Sequence, residues 1–61
     1  MHRLNIDLYY NNFKNDAIDN NVWHGGWTYT FVGLGFKSYR FFGDHHYLSD
    51  DDHTLFVLRY S

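Results

Sequence analysis

Apolar and polar positions alternate most cleanly near the start of the chain. Across residues 4–10, Leu4, Ile6, Leu8 and Tyr10 fall on one face of an extended chain, with Asn5, Asp7 and Tyr9 on the other. A period of two marks a half-buried β-strand. Residues 11–21 break the pattern with five asparagines and two aspartates, types that hydrogen-bond their own backbone in turns. This stretch reads as a loop or as one short helical turn near residues 12–19. Asn12 is its candidate cap, and Phe13, Ala17 and Ile18 would face a sheet.

Alternation returns after Val22, with Trp27, Tyr29 and Phe31 on one face and Thr28, Thr30 and Val32 on the other. Gly25 and Gly26 permit a tight turn just before it, which would bring Trp23 and Trp27 together across a bend. Gly33-Leu34-Gly35 offers a reversal into residues 36–42, where Phe36 and Phe42 on one face and Tyr39 and Phe41 on the other put aromatics on both sides. Such a strand is either covered twice or forms an interface.

The last third supports two readings. Ser49 followed by Asp50, Asp51 and Asp52 has the form of a helix start. Residues 54–60, Thr-Leu-Phe-Val-Leu-Arg-Tyr, are β-branched and aromatic, and a strand after a tight acidic turn is the preferred expectation. The expected fold is therefore mainly β: a single domain over residues 1–61 with a small antiparallel sheet of four to five strands, closing towards a barrel or pairing across a dimer.

Composition reinforces this expectation. Glu and Gln are absent and Ala occurs once, so strong helix formers are scarce, while six Phe, six Tyr and two Trp crowd a chain of 61 residues. Each aromatic ring buries on the order of 150–250 Å², more than one small core encloses. The surplus points to a contact surface, with Trp23, Trp27, Tyr29, Phe31, Tyr39 and Phe41 as interface candidates, and to a homodimer, since small domains often gain stability by association. The absence of cysteine rules out disulfides, thiolate metal sites and cysteine nucleophiles. It fits a cytoplasmic protein, as does the lack of an apolar leader or a membrane-length apolar stretch.

Three of the five histidines and four of the seven aspartates lie within residues 44–53. A hairpin turning at residues 48–51 would set His46 opposite His53 with Asp44 on the same face, offering three ligands to a zinc-like ion. A slip of one residue destroys that arrangement, and the spacing matches no specific metal motif. Alternatively Asp44, Asp50, Asp51 and Asp52 form an acidic contact surface.

Residues 32–39, Val-Gly-Leu-Gly-Phe-Lys-Ser-Tyr, resemble over eight positions the RNP1 strand of RNA-recognition-motif and cold-shock proteins. The match rests on Gly33, Gly35, Phe36 and Tyr39. It departs at Leu34, where a stacking aromatic belongs, and at Val32, where a basic residue belongs. The resemblance implies single-stranded nucleic-acid binding by Phe36 and Tyr39, with Lys37 and Arg40 lining a groove. A formal net charge of −2 counts against it.

No nucleophile elbow, phosphate loop, zinc-protease motif or dinucleotide fingerprint occurs, and a non-enzyme is expected. Small, cysteine-free, phage-encoded inhibitors that bind and occlude a host or defence protein share this general character, an analogy of size and composition. The sequence thus favours a protein-interaction module over a nucleic-acid binder, and either over a small metal-binding protein.

Overall fold

The computed structural model describes residues Met1–Ser61 and overturns the mainly-β expectation. The chain is 57% helical, with a sheet of only three short strands. In order, strand β1 (His2–Leu4) leads through a 3₁₀ turn (Ile6–Tyr9) into helix α1 (Tyr10–Asp19). A second 3₁₀ turn (Trp23–Gly25) precedes helix α2 (Trp27–Gly33). Strands β2 (Arg40–Phe42) and β3 (His45–Leu48) form a hairpin, and helix α3 (Asp50–Tyr60) closes the chain. The sheet is antiparallel with spatial order β1-β3-β2, leaving β1 and β2 at its edges.

Each departure from the expected strands has a physical explanation. The alternation of residues 4–10 holds only through Leu4 and Ile6, both buried. Beyond them the backbone tightens into the 3₁₀ turn, and Leu8 points to solvent. The asparagine-rich stretch becomes ten helical residues because Phe13 and Ala17, one turn apart, are both fully buried. Its polar residues make useful contacts: Asn12 donates through Nδ2 to the carbonyl of Tyr60 at 3.0 Å, and Asn20 donates to that of Asp16 at 2.8 Å. In α2 and its C-cap Leu34 the expected alternation gives way to Thr30, Phe31 and Leu34 facing inward, with Thr28, Tyr29 and Val32 outward. That is helical spacing, which a short run of apolar and β-branched residues satisfies as readily as strand spacing.

The segment from Phe36 to Phe42 is a strand only at its end, and Phe36 and Tyr39 enter the core from irregular backbone. The hairpin turns at Gly43-Asp44, not at residues 48–51. Phe42 pairs with His45, and both loop residues have positive φ, +56° and +62°. These are the requirements of a two-residue type I′ turn, whose twist matches the flanking strands.

Residues 54–60 are helical, with Phe56 and Tyr60 buried one turn apart. Ser49 caps the helix by accepting from the N–H of Asp52 at 3.2 Å. Ser38 is inserted into this cap: its Oγ accepts from the N–H of Ser49 at 3.0 Å and donates to the Asp52 carboxylate. The C-terminal turn is clamped to α1. The Tyr60 hydroxyl donates to Asp16 at 2.6 Å, and Arg59 pairs with the same carboxylate at 3.0 Å.

One core joins these elements, centred on Phe13, Phe31, Phe36, Tyr39 and Phe56 with Leu4 and Leu48 from the sheet. Phe31 and Tyr39 stack at 4.0 Å with 8° between their planes, and Phe13 lies 4.8 Å from Phe31. No helix is long and apolar enough to cross a membrane.

Candidate aromatic contact face

Five rings follow one another across the surface above this core. Tyr10 of α1 meets Trp23 at 5.9 Å, and Trp23 meets Trp27 at 6.4 Å, both edge to face. Trp27 meets His46 of β3 at 4.7 Å, and His46 meets Phe41 of β2 at 5.2 Å. Tyr10 and Trp27 are each 37% exposed and Phe41 48%, while Trp23 and His46 are half-buried. The row thus crosses four elements and the turn before α2. The fold places it there because Phe13 and Phe31 support Trp27 from beneath, and because β2–β3 pairing sets Phe41 directly beside His46.

Two hollows adjoin the row. One, of about 250 Å³, lies between Tyr10, Trp23 and Trp27, with Gly26 and Thr30 completing its wall. The other, of about 190 Å³, is polar and lined by Arg3, Asp7, Asp44, His45 and His46 among others. His46 stands at the junction, its ring against Trp27 and its edge on the polar hollow.

The chemistry of His46 is set by Tyr39. The Tyr39 hydroxyl lies 2.7 Å from Nδ1 of His46, and burial pushes the phenol up to about 12. The phenol therefore keeps its proton at ordinary pH, and the direction of its hydrogen bond with Nδ1 follows the tautomer of neutral His46. Burial lowers the pKa of His46 and His45 lowers it further, against an opposing pull from Asp7. The unfolded chain therefore binds a proton before the folded one does as pH falls below about 6.5. Stability from this group is complete above that pH and declines through the window down to the depressed folded value. In urea melts, the midpoint is expected to fall across this window in the wild type more steeply than in His46→Gln. Identical slopes would remove His46 as the cause.

The sequence candidates divide clearly. Trp23, Trp27 and Phe41 belong to the row, and the two tryptophans do approach across the glycine bend. Phe31 and Tyr39 lie in the core beneath it, 0% and 2% exposed, so they support the face without reaching a partner. Tyr29 is exposed and packed over Gly25, where a Cβ would clash with its ring. Of the residues implied by the RNP1 resemblance, Phe36 and Tyr39 are buried and cannot stack bases, and residues 33–39 form no strand. Lys37 and Arg40 are exposed, and Arg40 donates to the Tyr39 carbonyl at 2.7 Å.

Asp44 and His46 share the polar hollow, but His53 lies on α3 with its ring 4.4 Å from that of His2. No group of three or more histidine and acidic side chains is positioned to hold a metal ion. The expected convergence of Asp44, His46 and His53 fails because the turn lies at residues 43–44, so His46 and His53 never face one another across a ladder. Among the acids, Asp44, Asp50 and Asp51 are exposed, with Asp50 3.0 Å from His2, whereas Asp52 is held by Ser38.

Tyr10 and His46 are members of the face that the sequence pattern does not single out. The alternation of residues 4–10 places Tyr10 on a strand, and the histidine and aspartate spacing places His46 among metal ligands. The helical offset from Tyr10 to Phe13, which sets the exposed ring beside the buried one, was the available signal. No protein-family model matches the chain, nor does any curated protein or solved structure.

Proposed function

We propose that the protein is a non-enzymatic interaction module that binds a partner protein through the row from Tyr10 to Phe41 and acts by covering the partner's surface. The observation carrying this reading is the continuity of the rings. Single exposed apolar residues are ordinary on any surface, but contiguous aromatics edged by polar groups are the usual anatomy of an interface core, and Trp and Tyr are its common anchors. Beside the row, the exposed carboxylate of Asp44 shares the polar hollow with His46 and suits a basic group on a partner.

A second copy of the chain is one such partner, giving a homodimer. An inhibitor of phage type, occluding a host or defence protein, is the biological role that size and composition suggest. The test uses the double variant Tyr10→Ser, Phe41→Ser, which alters both ends of the row without touching the core. Light scattering and chemical crosslinking in host lysate then compare it with the wild type, with circular dichroism confirming that both fold. A dimer or a specific crosslinked protein present for the wild type, and weakened about tenfold or more in the variant, is the expected result for loss of two anchors. Unchanged mass together with an unchanged set of crosslinked proteins would refute the assignment.

A further inference from the structure

We propose that the hollow between Tyr10, Trp23 and Trp27 is a binding site for a quaternary ammonium group. Three rings from separate parts of the chain wall it, with 70° between the planes of Tyr10 and Trp23 and 86° between those of Trp23 and Trp27. Rings set nearly at right angles can surround a compact cation with their electron-rich faces, the arrangement that recognises choline and methylated lysine. A volume of about 250 Å³ suits a head group better than a large ligand.

Two observations specify the charge and the substitution of the ligand. The chain's own ammonium is already drawn to these rings, with Lys14 Nζ 5.6 Å from the centre of Trp23 and 6.0 Å from that of Tyr10. Lys14 is a flexible, partly exposed side chain that is not among the residues lining the hollow. Inside, acceptor capacity is small: Thr30 is only 1% exposed, and the Gly26 carbonyl already accepts from the N–H of Thr30 at 3.0 Å. A primary ammonium or guanidinium would lose hydration there without enough acceptors to replace it. A quaternary ammonium has no N–H to satisfy, keeps its full charge and presents methyl groups to the rings.

This inference rests on the reading of the aromatic row as a contact face, but its test needs no partner protein. Choline chloride is titrated into the full chain at constant ionic strength while the indole N–H signals of Trp23 and Trp27 are followed by NMR, beside the neutral tert-butyl isostere of choline. Saturable shifts of both signals are expected, with the isostere weaker by about threefold or more, the scale of a cation–π contribution. Trp27→Leu, checked for folding by circular dichroism, should abolish the response, and Lys14→Gln should tighten binding by removing a competing cation.

Equal response to choline and isostere, weaker binding by Lys14→Gln, or no saturable shift would each overturn the proposal. Tighter binding of a trimethyllysine peptide than of glycerophosphocholine, or the reverse, supports it and identifies the source of the group. Choline binding by a chain that captures no protein, or capture without choline binding, separates this site from the broader reading.

Discussion

Phe31→Ala is expected to leave the domain largely unfolded or at the edge of unfolding at room temperature. Phe31 is 0% exposed and contacts Phe13, Phe36, Tyr39 and Phe56 in the core, with Trp27 and His46 above it. Truncating a buried phenylalanine costs about 3–5 kcal/mol, through lost transfer energy and the cavity left behind. A domain of 61 residues commands only roughly 3–9 kcal/mol of stability at typical values per residue.

The control is Phe42→Ala on the edge strand. Phe42 is 77% exposed, and its loss is expected to change stability by about 0.5 kcal/mol or less. Urea melts of the two variants decide the matter. A Phe31→Ala midpoint close to wild type would mean that the core is organised around other residues. Because Trp27 and His46 rest on Phe31, the same substitution should also collapse the tryptophan signals of the contact face towards their unfolded positions, whereas Phe42→Ala should leave them in place.

How much of this could be read from the chain depends on the range over which each signal acts. The surplus of aromatics was legible, because ring area and chain length are both in the sequence. Six aromatics are indeed buried and the others reach the surface to different degrees. The pairing of Trp23 with Trp27 was also legible, since a glycine bend is a local device. Secondary structure was not, and the reason lies in α2: Trp27, Tyr29 and Phe31 satisfy a period of two, while Thr30, Phe31 and Leu34 satisfy a helical one. Choosing between them requires knowing where Phe13 and Phe56 stand, which is tertiary information. Low helix propensity misled for the same reason, as packing of one face supplies most of a protein helix's stability. The helix start at Ser49 was written plainly, but residues 54–60 outweighed it. The metal geometry fails because it requires residues 52–53 to pair as a strand with residues 46–47, and they lie in α3 instead.

The cap of α3 carries the second large effect. Asp52→Ala is expected to destabilise the fold by about 1–3 kcal/mol, the cost of leaving partly buried polar groups without partners, whereas Asp51→Ala should change little. The two residues are neighbours of identical chemistry, but Asp51 is exposed, and Asp52 accepts from both the N–H and the hydroxyl of Ser38. Ser38 in turn accepts from Ser49, so this carboxylate ties the start of α3 to the segment before β2. Its removal frees two donors on Ser38 and loosens the register between helix and hairpin.

A double-mutant cycle with Ser38→Ala distinguishes this account from a simple helix-dipole effect. If Ser38 is the partner, the Asp52 penalty shrinks in the Ser38→Ala background by more than about 0.5 kcal/mol, the usual scale of coupling between contacting residues. If negative charge near the helix N-terminus were the whole effect, Asp51→Ala would cost as much as Asp52→Ala and the cycle would show no coupling. The same comparison separates binding from folding: a partner that reads Asp51 should lose affinity to Asp51→Ala at unchanged stability, while Asp52→Ala should act on binding only through the fold.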